Sequence, residues 1–261
     1  MTSTKKKTRK PKIDAAWLDT HEWGLRSSNS GVAHGGFRWP RIGVWVKCPD
    51  WDDRAVCGGG FHYNAPGASG YGFDFSRLEL IETRGPRIVI DGNKAKSPEA
   101  RIVAVGAAIP REAFERCGFF VIEDGAKIEK IESGLHVLLI GSASVKTVSG
   151  GYVRSFGTSR MDVGTVSSGY AWSCGTSRMD VKTVSGGDVR SCDTSRMDVK
   201  TVSGGYVRSF GTSRMDVKTV SGGDVRSCDT SRMDVGTVSS GDVWSCGTSK
   251  MAIKKDKRKN P

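Results

Sequence analysis

Long apolar runs are missing from this sequence. No stretch approaches the roughly 18 consecutive apolar residues that cross a bilayer, which excludes a helical membrane span. The opening M-T-S-T-K-K-K-T-R-K lacks the apolar segment of a secretory signal, so a cytoplasmic location is expected. Apolar residues are only 37% of the 261, low for a globular chain, and 34 glycines exceed ordinary usage; that balance points to repeats. Seven cysteines, an odd number without a secretory context, read as reduced thiols and not as a disulfide framework. A phosphate loop is lacking too, because Gly58, Gly59 and Gly60 are followed by no Lys-Ser/Thr pair in a strand-loop-helix setting.

Acidic side chains are almost absent from the two ends. Residues 1–13 carry six basic residues (Lys5, Lys6, Lys7, Arg9, Lys10 and Lys12) and no acid. Residues 253–261 carry five, among them Lys254, Lys255 and Arg258, against Asp256. The stretch between 14 and 144 has net charge −2 and the stretch 145–252 has +4, so most of the total of +12 sits at the ends. Two basic, disordered arms are expected, either solubilising or able to attract nucleic acid or another polyanion through salt-sensitive contacts.

What the chain does have is a repeat. Six copies of an 18-residue unit start at Val145, Val163, Val181, Val199, Val217 and Val235, the first reading V-K-T-V-S-G-G-Y-V-R-S-F-G-T-S-R-M-D. Eighteen is even and a strand alternates its faces every two residues, so parity sorts the positions in every copy alike. Odd positions are mostly Val, Thr, Ser and Met and are expected to face a narrow core; even positions carry nearly all the substitutions and are expected to face solvent. Position 13, Gly or Asp, and the Gly-rich pair at 6 and 7 read as corners. Stacked at the usual interstrand spacing, six such coils make a rod about 29 Å tall. The hexapeptide pattern of left-handed solenoids is absent, and handedness stays open.

In-register coils turn each outward position into a column. Position 10 gives Arg154, Trp172, Arg190, Arg208, Arg226 and Trp244, a strip that could meet a partner, with guanidinium for phosphate and indole for bases, or simply be solvated. Position 16 is Arg or Lys with Asp two residues on, a self-neutralising pair. Position 4 is Val throughout, either an outward apolar stripe, as parity has it, or a set turned inward by a local bulge. Position 12 stacks Cys174 on Cys192 and Cys228 on Cys246, expected reduced. A Thr column at 14 next to Arg does not suit an ice-binding plane.

Ahead of the repeats, residues 14–126 read as a compact α+β domain, and residues 127–144, with Ile128, Ile131, Leu135, Val137 and Leu139, as a degenerate coil capping the solenoid. Strands are predicted at Gly43–Val46, Leu78–Glu82, Arg87–Ile90, Arg101–Val105 and Phe119–Ile122, and helices over Pro110–Cys117 and near Ala15–Leu18. The most distinctive chemistry lies in this domain. Cys57 with His62 or His34 supplies the atoms of a nucleophile and base without an identifiable third group. Cys48, Cys57 and His62 could ligate zinc, but C-x8-C-x4-H is not a usual ligand spacing, so no metal and no cofactor are expected.

The order F-x-W-P, C-P-D-W, C-G-G-G-F-H, D-G-N-K-A-K-S-P-E-A and V-A-V-G resembles uncharacterised phage and actinobacterial proteins that join such a domain to tandem repeats. The resemblance implies a phage-derived protein of unknown activity, acting in the host cytoplasm. A looser similarity of the G-F-H strand and the upstream W-P to ADP-ribosyltransferase folds implies a nucleotide-using transferase, although no Arg-Ser-Glu or His-Tyr-Glu set maps. The expectation is therefore a mainly β chain, a small α+β domain followed by a β-solenoid of six coils (145–252) and a basic tail (253–261). Its expected role is noncatalytic binding or scaffolding of a macromolecular partner, with exposed coil ends favouring a homo-oligomer.

Overall fold

The computed structural model describes residues 13–258, apart from 29–30, 34–35, 68–76, 93, 123 and 140. The chain is mainly β, with a small N-terminal α+β region and a β-solenoid of about eight turns from residue 120 to 256. No helix among the described residues is long and apolar enough to cross a membrane.

The N-terminal region is built on an antiparallel sheet. In chain order its elements are α1 (Ala15–Thr20), β1 (Trp23–Ser28), β2 (Val46–Lys47), β3 (Phe61–Tyr63), β4 (Arg77–Arg84), β5 (Ile88–Asp91), β6 (Lys94–Ser97), β7 (Glu99–Val105) and α2 (Arg111–Arg116). Four strands pair in the order β1-β4-β7-β2 and three in the order β3-β6-β5. Trp39, Phe61, Tyr63, Ala95, Ile81 and Ile102 fill the space between the two sheets. The larger sheet's other face meets α1 and α2 through Trp17, Leu18, Leu25, Leu80, Ala113 and Phe114. Both helices follow their sequence signals: Asp14 accepts from the Trp17 amide at 3.2 Å, and α2 runs from Pro110 at its N-cap to Cys117 at its C-cap, with Gly118 at φ 78° beyond. The strand expected at Gly43–Val46 is displaced to Val46–Lys47, since Gly43 sits in a turn at φ 90°.

The solenoid starts earlier than the sequence repeat. β8 (Phe120–Ile122), β9 (Ala126–Ile131) and β10 (His136–Leu139) precede β11 (Ser142–Ser155), which holds most of the first repeat. β9 and β10 pair in parallel with the two halves of β11, Val145 opposite Ile128 and Val153 opposite Val137, while β8 pairs with β10. The segment read as a capping coil is thus an ordinary turn with a further strand stacked before it. Ile131, Val137 and Leu139 join the core, whereas Leu135 is exposed because it lies in the turn before β10.

At the other end the expected disordered tail is a strand. Lys250–Asp256 pairs in register with Arg232–Val238, Ile253 opposite Val235 and Asp256 opposite Val238. The backbone ladder needs no further repeat sequence to continue, only an extended chain on the open edge. Arg258 then turns back, binding Asp256 and donating to the Gly241 carbonyl at 2.8 Å.

Within a coil the odd-inward pattern holds for Val at 1, Val or Ala at 9, Ser at 11 and 15 and Met at 17, all buried in the interior coils. It breaks between positions 1 and 5. The ladder pairs 16, 17, 18, 1, 3 and 4 with their counterparts and skips 2, as in Val181↔Val199 followed by Thr183↔Thr201. The chain bends here in every coil without a shift of register, and the bend moves the next side chains by one face, so that Val148, Val166, Val184, Val202, Val220 and Val238 point into the core at 0% exposure and Ser at 5 points out. The position-4 column is therefore core and not an outward stripe.

Serine and threonine hydroxyls bind from coil to coil. Ser191 and Ser195 hydroxyls lie 2.8 Å apart, and Ser195 donates to the Ser173 carbonyl of the coil before at 3.0 Å, a pattern repeated in neighbouring coils. Thr at 14 donates to the position-13 carbonyl of the preceding coil, as Thr194 does to Gly175 and Thr212 to Asp193, both at 3.0 Å. The Thr column is spent on holding coils together. At 13 the corner residue is left-handed in every repeat, whether Gly157 (φ 64°) or Asp193 (φ 57°).

Position 12 departs from the expected open thiol column. Cys228 and Cys246 form a disulfide, their Cα atoms 4.7 Å apart. One coil spacing falls within the Cα range of a bridge, and the site sits where strand gives way to corner, which frees the side-chain torsions that flat parallel strands deny. Cys174 and Cys192 are unbridged; the Cys174 thiol bonds to Cys192, raising the former's titration well above the usual thiol range and lowering the latter's.

Candidate binding groove

The bend at position 2 also shapes the outer surface. Positions 18 and 2 flank an inward Val, and the bend between them makes a groove of about 860 Å³ that runs along the axis from Lys127 to Lys218. One wall is the position-18 column, Asp162, Asp180, Asp198 and Asp216; the other is the position-2 column, Lys146, Gly164, Lys182, Lys200 and Lys218. The in-register strand at the C-terminal end places Lys254 opposite Gly236 in the position-2 column. A residue read as part of a free arm is thus in line with the cationic wall.

The two walls differ electrostatically. Asp162 meets only Arg160, at 3.9 Å, and each later Asp is shared by the arginines of its own coil and the coil before: Asp180 is 3.3 Å from Arg160 and 3.2 Å from Arg178, Asp198 is 2.8 Å from Arg178 and 3.4 Å from Arg196. Arg196 and Arg214 extend the zipper to Asp216 and Asp234. Burial pushes the Asp198 carboxyl above its ordinary range, with Arg196 and Arg178 acting against it. Lys146 is paired with Glu129 at 2.9 Å. Among the described residues no acid lies within ion-pair distance of Lys127, Lys182, Lys200 or Lys218, so these four carry the groove's uncompensated charge.

The position-10 strip is brought together but partly consumed. Arg154 is buried at 6% exposure, and Trp172 lies between guanidinium groups, Arg154 at 4.3 Å and Arg190 at 4.6 Å from its ring centre. Both faces of that indole are occupied, which leaves none for a base. Arg190 also holds Asp188 at 2.6 Å, Arg208 lies over Tyr206, and Arg226 covers one face of Trp244, which is 40% exposed. The N-terminal region covers the first coils here: Phe156 and Cys174 are buried in the cluster that includes Leu18, Phe114 and Phe119, with Trp172 packed against it. Local parity marks position 12 as outward, and only this tertiary contact buries it.

The N-terminal candidates do not converge on one centre. His62 lies on β3 opposite Lys96 of β6, half-buried, with its titration lowered by burial and then by Lys94 and Lys96. Lys96 is fully buried, its ammonium donating to the Val56 and Gly58 carbonyls at 3.1 and 3.0 Å, so it pins the glycine loop. Cys57 is exposed, its sulfur 3.4 Å from the Lys94 ammonium, with no hydrogen bond to His62. Cys48 donates to Asp50 at 2.9 Å, and burial together with that bond pushes its thiol up to about 11. His34 and the arm residues Lys5, Lys6, Lys7, Arg9 and Lys10 lie outside the described residues. No three His, Cys, Asp or Glu side chains among the described residues are grouped to hold a metal.

The groove is what residue-by-residue reading missed. Its signal was present as Lys at position 2 in four of the six repeats and Asp at 18 in five. Comparisons of the chain with protein-family models, with curated proteins and with solved structures find no match.

Proposed function

We propose that the chain is a noncatalytic binding protein whose solenoid holds a linear macromolecule along its axis. The observation that carries this reading is the two-walled groove, which presents the same pair of columns, Asp at 18 and Lys at 2, coil after coil. A linear polymer meets an equivalent environment at each step, and small contributions from each coil add along its length. Exposed lysines without internal partners contribute attraction that weakens with salt. The position-10 strip supports the reading less, because both faces of Trp172 are covered by Arg154 and Arg190, and Arg190 is paired with Asp188.

The test is retention of linear polymers on the immobilised full chain: single-stranded RNA and DNA, acidic and neutral glycans, and an acidic peptide. At least one acidic polymer is expected to be retained, with retention reduced by Lys200→Glu and by raised salt while the unfolding transition stays in place. Retention of none, or retention indifferent to Lys200→Glu, contradicts the proposal.

A further inference from the structure

We infer that Cys174 and Cys192 are a redox-active pair that takes up a second inter-coil disulfide by exchange with a low-molecular-weight disulfide, Cys192 being the thiol that attacks. This modification site lies apart from the groove and does not depend on it.

The backbone is already set for the bridge. Both cysteines stand at position 12 of consecutive coils, and the residues before them, Ser173 and Ser191, are ladder partners. The Cys192 amide donates to the Ser173 carbonyl at 2.9 Å and the Thr194 amide to the Gly175 carbonyl at 3.2 Å. Three coils further on the same framework recurs. Ser227 pairs with Ser245, the Cys246 amide donates to the Ser227 carbonyl at 2.9 Å, and the Thr248 amide donates to the Asp229 carbonyl at 2.9 Å. That second site holds the Cys228–Cys246 bridge, with Cα atoms 4.7 Å apart. A ladder that accommodates a bridge at one place accommodates it at the other, and side-chain rotation is all that closure requires.

The two thiols have different parts to play. Cys174 is buried in the cluster with Leu18, Phe114 and Phe119, where the N-terminal region meets the solenoid, whereas Cys192 is half-buried and packs against the edge of that cluster. An incoming disulfide therefore reaches Cys192 first. The bond from Cys174 holds Cys192 below the ordinary thiol range, helped by Arg190 and Arg154 against burial and Asp193. The same bond, with burial, raises Cys174. Exchange proceeds through the thiolate, which favours Cys192 as the attacking group. Its sulfur attacks one sulfur of the reagent, whose S–S bond breaks and releases one thiol. Cys174 then attacks the Cys192 sulfur of the mixed disulfide and displaces the second thiol. Two cysteine thiols are oxidised to one disulfide, the reagent is reduced to two thiols, and the two cysteine protons end on them.

The experiment is incubation of the full-length Cys228→Ser/Cys246→Ser variant in glutathione buffers from reducing to oxidising, followed by acid quenching, alkylation in denaturant and mass mapping of tryptic peptides. The two substitutions remove an ambiguity, since Cys192 and Cys228 lie in the same tryptic sequence, S-C-D-T-S-R. Oxidising buffer is expected to join Cys174 to Cys192, so that two of the five remaining cysteines escape alkylation, and reducing buffer is expected to restore them. In the parent the same bridge is read from the Met161–Arg178 peptide, which differs in mass from Met233–Lys250, so the result does not hang on the variant's folding. Adding Cys174→Ser is expected to halt the reaction at a glutathione mixed disulfide on Cys192, and adding Cys192→Ser to leave Cys174 unmodified. Absence of the Cys174–Cys192 peptide in a buffer that forms the parent's Cys228–Cys246 bridge overturns the inference. So does a mixed disulfide on Cys174 in place of Cys192, or a cross-link that forms equally well in urea.

Discussion

Val202→Asp is expected to destroy the middle of the solenoid. Val202 sits at position 4 with 0% exposure, between Val184 and Val220 of the adjacent coils, which are equally buried. A carboxylate there has no cation or donor to meet it, and burying it unpaired costs on the order of 4 kcal/mol or more. Each coil leans chiefly on its neighbours, so the loss is expected to split the urea transition in two rather than shift it as one. Val202→Ala keeps the fold and is expected to cost about 2 kcal/mol, from two buried methyl groups. The adjacent Ser203 is exposed, and Ser203→Asp is expected to change stability by less than about 0.5 kcal/mol. An uninterrupted alternation from position 1 would reverse the ranking of these two sites, so equal tolerance of Asp at 202 and 203 contradicts the bend.

The second large effect is expected at the position-7 corner. Gly205 has φ 73°, and a Cβ placed on it would lie 2.5 Å from the Gly187 carbonyl oxygen and 2.6 Å from the Gly186 carbonyl carbon. Those are backbone atoms of the coil before and cannot swing aside as a side chain can. Gly205→Ala therefore combines left-handed strain with a backbone clash, for about 3 kcal/mol or more. The position-13 corner is equally left-handed but less crowded, since Asp193 and Asp229 already carry a Cβ there. Asp229→Gly there relieves φ 60° and gives up one hydrogen bond from the Gly211 amide at 2.9 Å, so the expected change is within about 1 kcal/mol in either direction. Urea midpoints of the two variants check the contrast, and a Gly205→Ala midpoint at the parental value would contradict the close stacking of corners.

Much of this architecture was legible because the repeat is nearly exact and of even length. Burial of Val199, Val207, Ser209, Ser213 and Met215 follows from alternation alone, and the corners follow from the residues that tolerate positive φ. Position 4 stayed open between two readings because the faces shift only over positions 2 to 5, and V-K-T-V fits an outward Val by alternation as readily as an inward one after a local bend. The groove escaped for the same reason, since it exists only where the chain bends around Lys182 and its counterparts.

Other features are tertiary and leave no local trace. β1, W-G-L-R-S-S, is mostly buried along its length and shows no alternation, and β6, K-A-K-S, reads as a loop although Lys96 is fully buried. Phe156 and Cys174 carry an outward position number and are buried by α2 and its surroundings. The strand at Lys250–Asp256 has tail-like composition, and its conformation comes from the open ladder beside it.

The central claim, that the groove is the working surface, is tested most directly by amide hydrogen exchange of the full chain with and without the polymer that it retains. Protection is expected along the groove, at Asp162–Gly164, Asp180–Lys182, Asp198–Lys200 and Asp216–Lys218, with little change at Arg190, Arg208 and Arg226 or in the N-terminal sheets. Protection confined to the position-10 strip, to the first 12 residues or to the region around Cys57 and His62 would contradict it.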